Sequence, residues 1–206
     1  MKIIATGVEK KFRKEWIFRK LDGTYSAGQS YALVGPNGTG KSTLLKILAQ
    51  FSLPTHGKVE FVHVDGTVIP TDKAHQYVAF AAPYADVIEE FTLSELIGFL
   101  QNLGFISAEL DLLSFEKYME LSPGKGKLIK NYSSGMRQKI KLACALLSPR
   151  PILCLDEPTS NLDEQAKQWF IAKLYENRSK LIFIASNETI EIGLCDHLIA
   201  IADYKN

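Results

Sequence analysis

One glycine-rich segment constrains the fold of this chain more strongly than any other feature. It reads Gly35-Pro36-Asn37-Gly38-Thr39-Gly40-Lys41-Ser42 and fits the pattern G-x-x-x-x-G-K-[ST], the loop that wraps the phosphate chain of a nucleotide. The apolar run 31–34 precedes it, and residues 41–50 follow with apolar positions at helical spacing. The sequence therefore predicts a strand, a phosphate-binding loop and a helix in succession.

The residue types in this loop suit a triphosphate. Glycines let backbone N–H groups approach the phosphates closely, and the N-terminus of the following helix adds a partial positive charge. Lys41 is expected to reach the β- and γ-phosphates, and the Ser42 hydroxyl to ligate Mg²⁺. The alternative is a glycine-rich turn with an exposed lysine. The candidate nucleotide-binding residues of the loop are Gly35, Pro36, Asn37, Gly38, Thr39, Gly40, Lys41, Ser42 and Thr43.

Two carboxylates follow a second apolar run. Residues 152–155 are apolar without alternation, and Asp156 and Glu157 come directly after them. Open α/β sheets place ligand sites at the carboxyl ends of their strands, so Asp156 is the candidate Mg²⁺-side carboxylate. Glu157 is the candidate general base, able to orient and deprotonate an attacking water. The alternative is that both residues cap a helix or form a turn.

The distribution of apolar runs predicts an α/β protein with a P-loop NTPase core. Residues 181–185 and 198–201 are also apolar without alternation, as expected for buried strands of a mainly parallel sheet. An antiparallel hairpin over residues 58–69 adds an N-terminal antiparallel β part, and helical spacing from residue 92 to the break at Pro123-Gly124 indicates an inserted helical subdomain. We expect one domain, 1–206, with the helical subdomain at about 84–140.

Composition excludes several classes of protein. Lys and Arg number 24 against 23 for Asp and Glu, which argues against a general nucleic-acid binder. No secretory signal opens the chain, and no stretch approaches the ~20 apolar residues that span a bilayer.

The cysteines Cys144, Cys154 and Cys195 lie far apart in apolar stretches, which indicates buried thiols in a reduced compartment. The four histidines show no ligand spacing.

Two further segments give the chain a family resemblance. One reads Tyr132-Ser133-Ser134-Gly135-Met136-Arg137-Gln138 and resembles the signature motif L-S-G-G-Q of ABC-type ATPases. The other reads Glu157-Pro158-Thr159-Ser160-Asn161-Leu162-Asp163 and resembles that family's stretch from the catalytic glutamate into the D-loop. With the phosphate loop, these motifs stand in the family's order and spacing.

The resemblance implies an ATP-binding subunit of an ABC transporter, with ATP and Mg²⁺ as its ligands. Two such subunits, identical or different, would form a head-to-tail dimer in which Ser133, Ser134 and Gly135 hold the partner's ATP. The same resemblance makes Lys41 and Glu157 catalytic. It also implies an integral membrane transporter subunit as partner, no nucleic acid, and a cytoplasmic location on the inner face of the membrane. From the residues alone, Ser133 or Ser134 is equally a helix cap.

Phe12 occupies the place of the aromatic residue that stacks on adenine in this family. The alternative is an ordinary core or surface phenylalanine, because stacking leaves no spacing pattern.

The chain departs from the family pattern at three places. Pro83-Tyr84 stands where a glutamine is usual, Ser134 replaces the first signature glycine, and Ser186 aligns with a histidine that contacts the γ-phosphate. Asn187 is an alternative polar contact. We expect binding to survive and hydrolysis to be slower.

Three functions remain open on the sequence. The first is a subunit that powers transport through ATP-driven dimer closure and hydrolysis. The second is a nucleotide-dependent switch or degenerate partner subunit with little intrinsic hydrolysis. The third is a soluble ABC-type ATPase acting on ribosomes or DNA.

Overall fold

The structure, a computed structural model, describes residues 1–121, 124 and 126–205. Within these ranges the strands are β1 (Lys2–Phe12), β2 (Glu15–Ser26), β3 (Ser30–Val34), β4 (His56–Val62), β5 (Val68–Ile69), β6 (Val78–Ala81), β7 (Ile152–Asp156), β8 (Leu181–Ala185) and β9 (His197–Ala200). The helices are α1 (Lys41–Leu48), α2 (Leu93–Asn102), α3 (Leu112–Met119), α4 (Ser134–Leu146), α5 (Glu164–Glu176) and α6 (Thr189–Gly193). The predicted α/β class with a parallel sheet and an antiparallel part is confirmed.

The chain forms two compact units. The first contains Met1–Val78, Pro151–Glu157 and the part of the chain from Arg178 on. The second contains Ala79–Arg150 and Pro158–Asn177. Residues distant in sequence therefore build each unit.

A parallel sheet forms the centre of the first unit. Strands β7, β8, β3 and β9 lie side by side in this order, and β6 starts beside β7, where Ile152 N–H donates to the Tyr77 carbonyl (3.1 Å). Every residue of β7 and β8 is buried, which confirms their prediction as strands covered on both faces.

Strand β9 corrects the expectation of a fully buried strand. Its residues His197 and Leu198 are exposed. The reason is its place at the end of the sheet order, where it pairs with β3. An apolar run does not distinguish an edge strand from a central one.

The antiparallel sheet of the first unit has the order β2-β1-β4-β5. The predicted hairpin at residues 58–69 is confirmed as β4 and β5, and the Asp65 carboxylate accepts a hydrogen bond from Thr67 N–H in the turn (2.9 Å). Strands β1 and β2 were not predicted individually. Their register shifts at three places between Ala5 and Lys11, and these irregularities break the alternation that identifies a strand.

Helices α2 to α5 belong to the second unit. Thr92 caps α2 in a capping box with Glu95, and Asp163 caps α5 by accepting a hydrogen bond from Ala166 N–H (2.8 Å). Helix α5 buries one apolar face, which consists of Ala166, Trp169, Phe170 and Leu174. The predicted helix break at Pro123 falls outside the described residues.

Candidate nucleotide site

The phosphate loop connects β3 to α1, as the sequence predicted. Gly40 is the residue before the first turn of α1, and its carbonyl accepts a hydrogen bond from Leu44 N–H (2.8 Å). The loop is closed on itself by the Thr39 hydroxyl, which donates to the Pro36 carbonyl (2.8 Å). The free N–H groups at the start of α1 therefore follow directly on the loop.

Gly40 is required by both its backbone and its surroundings. Its φ is 107°, a conformation that other residues rarely adopt. A Cβ at this position would also lie 2.2 Å from Cγ2 of Ile17, on β2. The loop is thus pressed against β2, a contact that no sequence motif predicted.

One cavity of about 370 Å³ collects most of the residues proposed from the sequence. Ile17 is the lining residue that the sequence missed, because a lone strand residue carries no motif. The phosphate-loop residues Gly35, Pro36 and Thr39 do not line the cavity. Its lining consists of Phe12, Ile17, Asn37, Gly38, Gly40, Lys41, Ser42, Thr43 and Glu157.

Lys41 is buried rather than exposed. Only 5% of its surface is accessible, and its ammonium donates hydrogen bonds to the carbonyls of Gly35 (2.8 Å) and Pro36 (3.2 Å). The alternative of a turn with an exposed lysine is therefore wrong. The loop holds this positive charge against its own inner carbonyls.

Phe12 lines the same cavity. It ends β1 and is 53% exposed, which excludes a core role. The ammonium of Lys10 lies 5.1 Å from the centre of its ring. A half-exposed aromatic ring beside a phosphate loop is able to stack on a planar base.

The two carboxylates at the end of β7 have different surroundings. Asp156 is the last residue of β7 and is 2% exposed. Glu157 is exposed, lines the cavity, and adopts a φ of 45° while its N–H donates to the Ala185 carbonyl (2.8 Å). Helix α5 is capped by Asp163, so neither carboxylate caps that helix. The alternative of a turn residue still applies to Glu157, whose φ is positive.

The residues after β8 separate into a buried and an exposed position. Ser186 is fully buried, and its hydroxyl accepts a hydrogen bond from Glu188 N–H (2.8 Å). Asn187 is exposed, and its side-chain nitrogen donates to Oδ1 of Asn37 (2.5 Å). Asn187, and not Ser186, therefore contacts the phosphate loop.

The segment that resembles the signature motif lies in the second unit, at the start of α4. The Ser133 hydroxyl accepts from Met136 N–H (3.2 Å), so this serine is the cap of α4. A Cβ on Gly135 would lie 2.9 Å from the Asn161 carbonyl oxygen, which explains a glycine there. A cavity of about 380 Å³ is lined by Glu120, Leu121, Ser133, Ser134, Gly135, Met136, Lys139, Asn161, Asp163, Gln165 and Ala166.

Lys139 is a charged residue of this second cavity that the sequence did not predict, as is Glu120. It is 9% exposed, and its ammonium lies 4.8 Å from the centre of the Trp169 ring. Burial lowers the pKa of Lys139 from its ordinary value, while the nearby carboxylates of Glu120 and Asp163 oppose that shift. A helical lysine that directly follows the signature-like segment gives no sequence signal of its own.

Pro83-Tyr84, where the resemblance predicts a departure from the usual glutamine, lies in the second unit. The Pro83 carbonyl accepts a hydrogen bond from the Lys141 ammonium (3.1 Å), and Lys141 also pairs with Asp86 (2.6 Å). Tyr84 is half exposed.

Within the described part of the chain, no three His, Cys, Asp or Glu residues cluster in a way that would hold a metal ion by themselves. Among the same residues, no helix has the length and apolar character to cross a membrane.

A comparison with known families decides the relationship suggested by these motifs. The family model described as ABC transporter matches residues 18–160, which is more than half of the chain. The chain belongs to the ABC transporter family. The match contains the phosphate loop, the signature-like segment and both carboxylates.

The sequence of an individual ABC transporter protein is also similar to this chain. The chain is 33% identical over 208 residues to the Nod factor export ATP-binding protein I of Burkholderia lata, covering 95% of this chain and 66% of that protein. The chain therefore spans just under two thirds of that relative's length.

Solved structures of ABC proteins share the fold. A putative ABC transporter ATP-binding protein from Pyrococcus furiosus superposes with a TM-score of 0.82 at 21% identity, over 100% of both chains. The dimeric structure of a bacterial ABC transporter cassette gives a TM-score of 0.81 at 20% identity, over 96% of this chain and 93% of that one.

Proposed function

We propose that this chain is the ATP-binding and ATP-hydrolysing subunit of an ABC transporter, which powers transport through ATP-driven dimer closure. The observation that carries the proposal is the single cavity lined by Phe12, Lys41, Ser42 and Glu157. An aromatic ring, a phosphate-binding loop with its lysine, a hydroxyl and a carboxylate are the groups that nucleotide binding and hydrolysis require. They come from β1, the loop, α1 and the end of β7.

The phosphate loop would bind the triphosphate through backbone N–H groups and the ammonium of Lys41. That ammonium already lies on the inner side of the loop, against the carbonyls of Gly35 and Pro36. A phosphate oxygen is a stronger acceptor for a charged donor than a carbonyl is, because the hydrogen bond then joins two ions. Lys41 is expected to turn from the carbonyls to the β- and γ-phosphates.

The residues present suit a magnesium ion. Mg²⁺ prefers oxygen ligands and is usually held by one or two protein groups together with substrate phosphates, so a cluster of three carboxylates is not needed. Ser42 supplies a hydroxyl in the cavity, and Asp156 supplies a buried carboxylate at the end of β7. Bound there, the ion would neutralise charge on the phosphates.

Glu157 would act on the attacking water. Glu157 belongs to the lining of the cavity, and its backbone is held by the hydrogen bond from its N–H to the Ala185 carbonyl. As general base it would orient the water and accept its proton while the water oxygen attacks the γ-phosphorus. The bond between the γ-phosphorus and the β–γ bridging oxygen would break, so the products would be ADP and phosphate.

The second unit would act on a partner subunit's nucleotide. Ser133, Ser134 and Gly135 line their own cavity at the N-terminus of the 13-residue helix α4, where N–H groups are available to a phosphate. The dimeric cassette of the same fold supports a second ABC-type subunit as partner. The two units would then function as one ATP-binding domain, with the helical subdomain at about 84–140.

An integral membrane transporter subunit completes the proposal, because the Nod factor relative is named an export ATP-binding protein. The chain would work on the cytoplasmic, inner face of the membrane. Copurification from detergent-solubilised membranes tests this partner.

Two variants test the chemistry. Lys41→Ala should abolish measurable MgATP affinity in calorimetry, because it removes the charge that faces the phosphates. Glu157→Gln should retain MgATP affinity and lose hydrolysis by roughly 10²–10⁴-fold, because an amide cannot accept the proton. Lys117→Ala, on the exposed side of α3, is the matched control and should leave both unchanged. MgATP affinity that survives Lys41→Ala would refute the proposed site.

The alternative is a nucleotide-dependent switch or degenerate partner subunit with little intrinsic hydrolysis. The observation that favours it is the burial of Ser186, whose hydroxyl is turned to Glu188 N–H. Phosphate release over many turnovers, measured against Lys41→Ala, decides between them. Sustained release above that control excludes the switch.

A further inference from the structure

The ring of Phe12 has a lysine of its own strand beside it. The Lys10 ammonium lies 5.1 Å from the centre of the ring, within the distance at which a cation is attracted to the face of an aromatic ring. Phe12 lines the nucleotide cavity, whereas Lys10 does not belong to the lining. The ammonium therefore approaches the ring from outside the cavity.

The ammonium is itself anchored to a neighbouring segment of the chain. It donates a hydrogen bond to the Leu53 carbonyl (2.7 Å), in the segment that follows α1. Thr55 N–H donates to the Glu9 carbonyl (2.7 Å), and Lys11 N–H donates to the Thr55 hydroxyl (3.0 Å). These two bonds hold the segment against β1 without the Lys10 side chain. The Leu53 carbonyl is therefore a fixed support for the ammonium.

We propose that Lys10 is a positioning residue for base recognition. Anchored on the Leu53 carbonyl, its ammonium holds the Phe12 ring from outside and leaves the other face of the ring free for the base of the nucleotide. The inference rests on the proposed function, in which the aromatic ring beside the phosphate loop takes part in ATP binding. In this arrangement Lys10 contacts neither the base nor the phosphates and acts through the ring alone.

The exposure of Phe12 explains why such a support matters. Phe12 is the last residue of β1 and is 53% exposed, so packing covers only about half of its side chain. A mobile ring loses conformational entropy when a base stacks on it, and a ring that is held in advance loses less. Lys10 would therefore raise the affinity for a nucleotide through its base, not through its phosphates.

A double-mutant cycle in nucleotide binding tests this role. Lys10→Met removes the charge and should weaken MgATP affinity about two- to fivefold, the size that corresponds to a cation–aromatic contact at an exposed site. Phe12→Leu removes the stacking surface and should weaken it roughly tenfold. In the Phe12→Leu background, Lys10→Met should change the affinity less than about 1.5-fold, because no ring is left to position. Isothermal calorimetry with the full chain measures all four proteins.

Two controls separate the ring from the charge. Tripolyphosphate with Mg²⁺ has the phosphates but no base, so its affinity should be the same in Lys10→Met as in the unchanged protein. The Lys11 ammonium also lies 5.1 Å from the centre of a ring, but that ring belongs to Trp16, which does not line the cavity. Lys11→Met removes the same charge from the adjacent position and should leave MgATP affinity unchanged. Lys10→Arg keeps a cation with hydrogen-bond donors and should restore MgATP affinity.

Each outcome decides the proposal. Unchanged MgATP affinity in Lys10→Met would overturn it, and so would tighter binding, because the ammonium would then compete with the base for the ring. An equal loss with tripolyphosphate or in Lys11→Met would reveal only a long-range effect of charge on the phosphates, which also contradicts it. A loss that persists in the Phe12→Leu background would show that Lys10 does not act through the ring. The proposed function fails separately, through MgATP affinity that survives Lys41→Ala.

Discussion

Replacing Gly40 by alanine tests whether β2 presses on the phosphate loop as the structure shows. Gly40→Ala has a backbone cost and a steric cost. Substitution of Gly38 separates the two, because it has the backbone cost alone. Gly38 also has a positive φ (79°), but a Cβ there would meet nothing within 4 Å. Gly38→Ala should therefore carry only the backbone cost, about 1–2 kcal/mol for a left-handed residue.

Gly40→Ala should cost more, because its Cβ would also meet Cγ2 of Ile17 at 2.2 Å. That methyl group cannot move aside easily, since it belongs to a β-branched side chain on strand β2. Overpacking of this kind costs about 1–3 kcal/mol, so the whole loss is about 2–5 kcal/mol. For a chain of this length each kcal/mol lowers the melting temperature by about 2–4 °C.

A second substitution relieves the steric part. Ile17→Ala removes Cγ2, and the Ile17 Cβ that remains lies 3.7 Å from the new Cβ, an ordinary contact. The double variant Ile17→Ala/Gly40→Ala should therefore be about 1–3 kcal/mol more stable than the sum of the single effects predicts. Urea unfolding of the four proteins measures this coupling. A cycle that is additive within about 0.5 kcal/mol, or a Gly40→Ala variant no less stable than Gly38→Ala, would refute the close approach of β2.

The remaining predictions concern the second unit and the thiols. Gly135→Ala should lower the free energy of unfolding, measured by urea titration, by about 1–3 kcal/mol, because its Cβ would lie 2.9 Å from the Asn161 carbonyl oxygen. Gly98→Ala in α2 is the comparison: its Cβ would meet nothing within 4 Å, so it should raise the free energy of unfolding by about 0.4–1 kcal/mol in the same titration. Iodoacetamide at pH 8 should label Cys144 and Cys195 slowly in native protein and fast in urea, because burial raises the pKa of each thiol to about 12 and the thiolate is the reactive form. Rapid labelling of either residue in the native protein, read by mass spectrometry, would contradict this burial.

Sequence patterns predicted the elements whose signals are local. The run at residues 152–155 identified β7 because a strand covered on both faces has no polar positions, and all of β7 is buried. The start of helix α4 was also recognised, because Ser133 or Ser134 was expected to cap a helix and Ser133 does so. Burial also agrees with the prediction for Cys144 and Cys154, whereas Cys195 is only half buried.

Where prediction failed, the information came from a distant part of the chain. The apolar run of β9 did not reveal an edge strand, because sheet order depends on which strands pair. Ile17 and Lys139 line cavities without belonging to any motif, since their contacts come from other elements. The sequence also left open whether Ser186 or Asn187 provides the polar contact after β8, because both are small polar residues.

By itself the sequence determined the phosphate loop, the carboxylates after β7 and the family to which the chain belongs, because each depends on residue types at short, regular spacing. Only the tertiary structure decided that Lys41 is buried against its own loop, that Ile17 leaves room for nothing larger than glycine at position 40, and that Asn187 bonds Asn37 while Ser186 turns inward. Those outcomes depend on the register of neighbouring strands, which brings together residues far apart in the chain and leaves no local pattern.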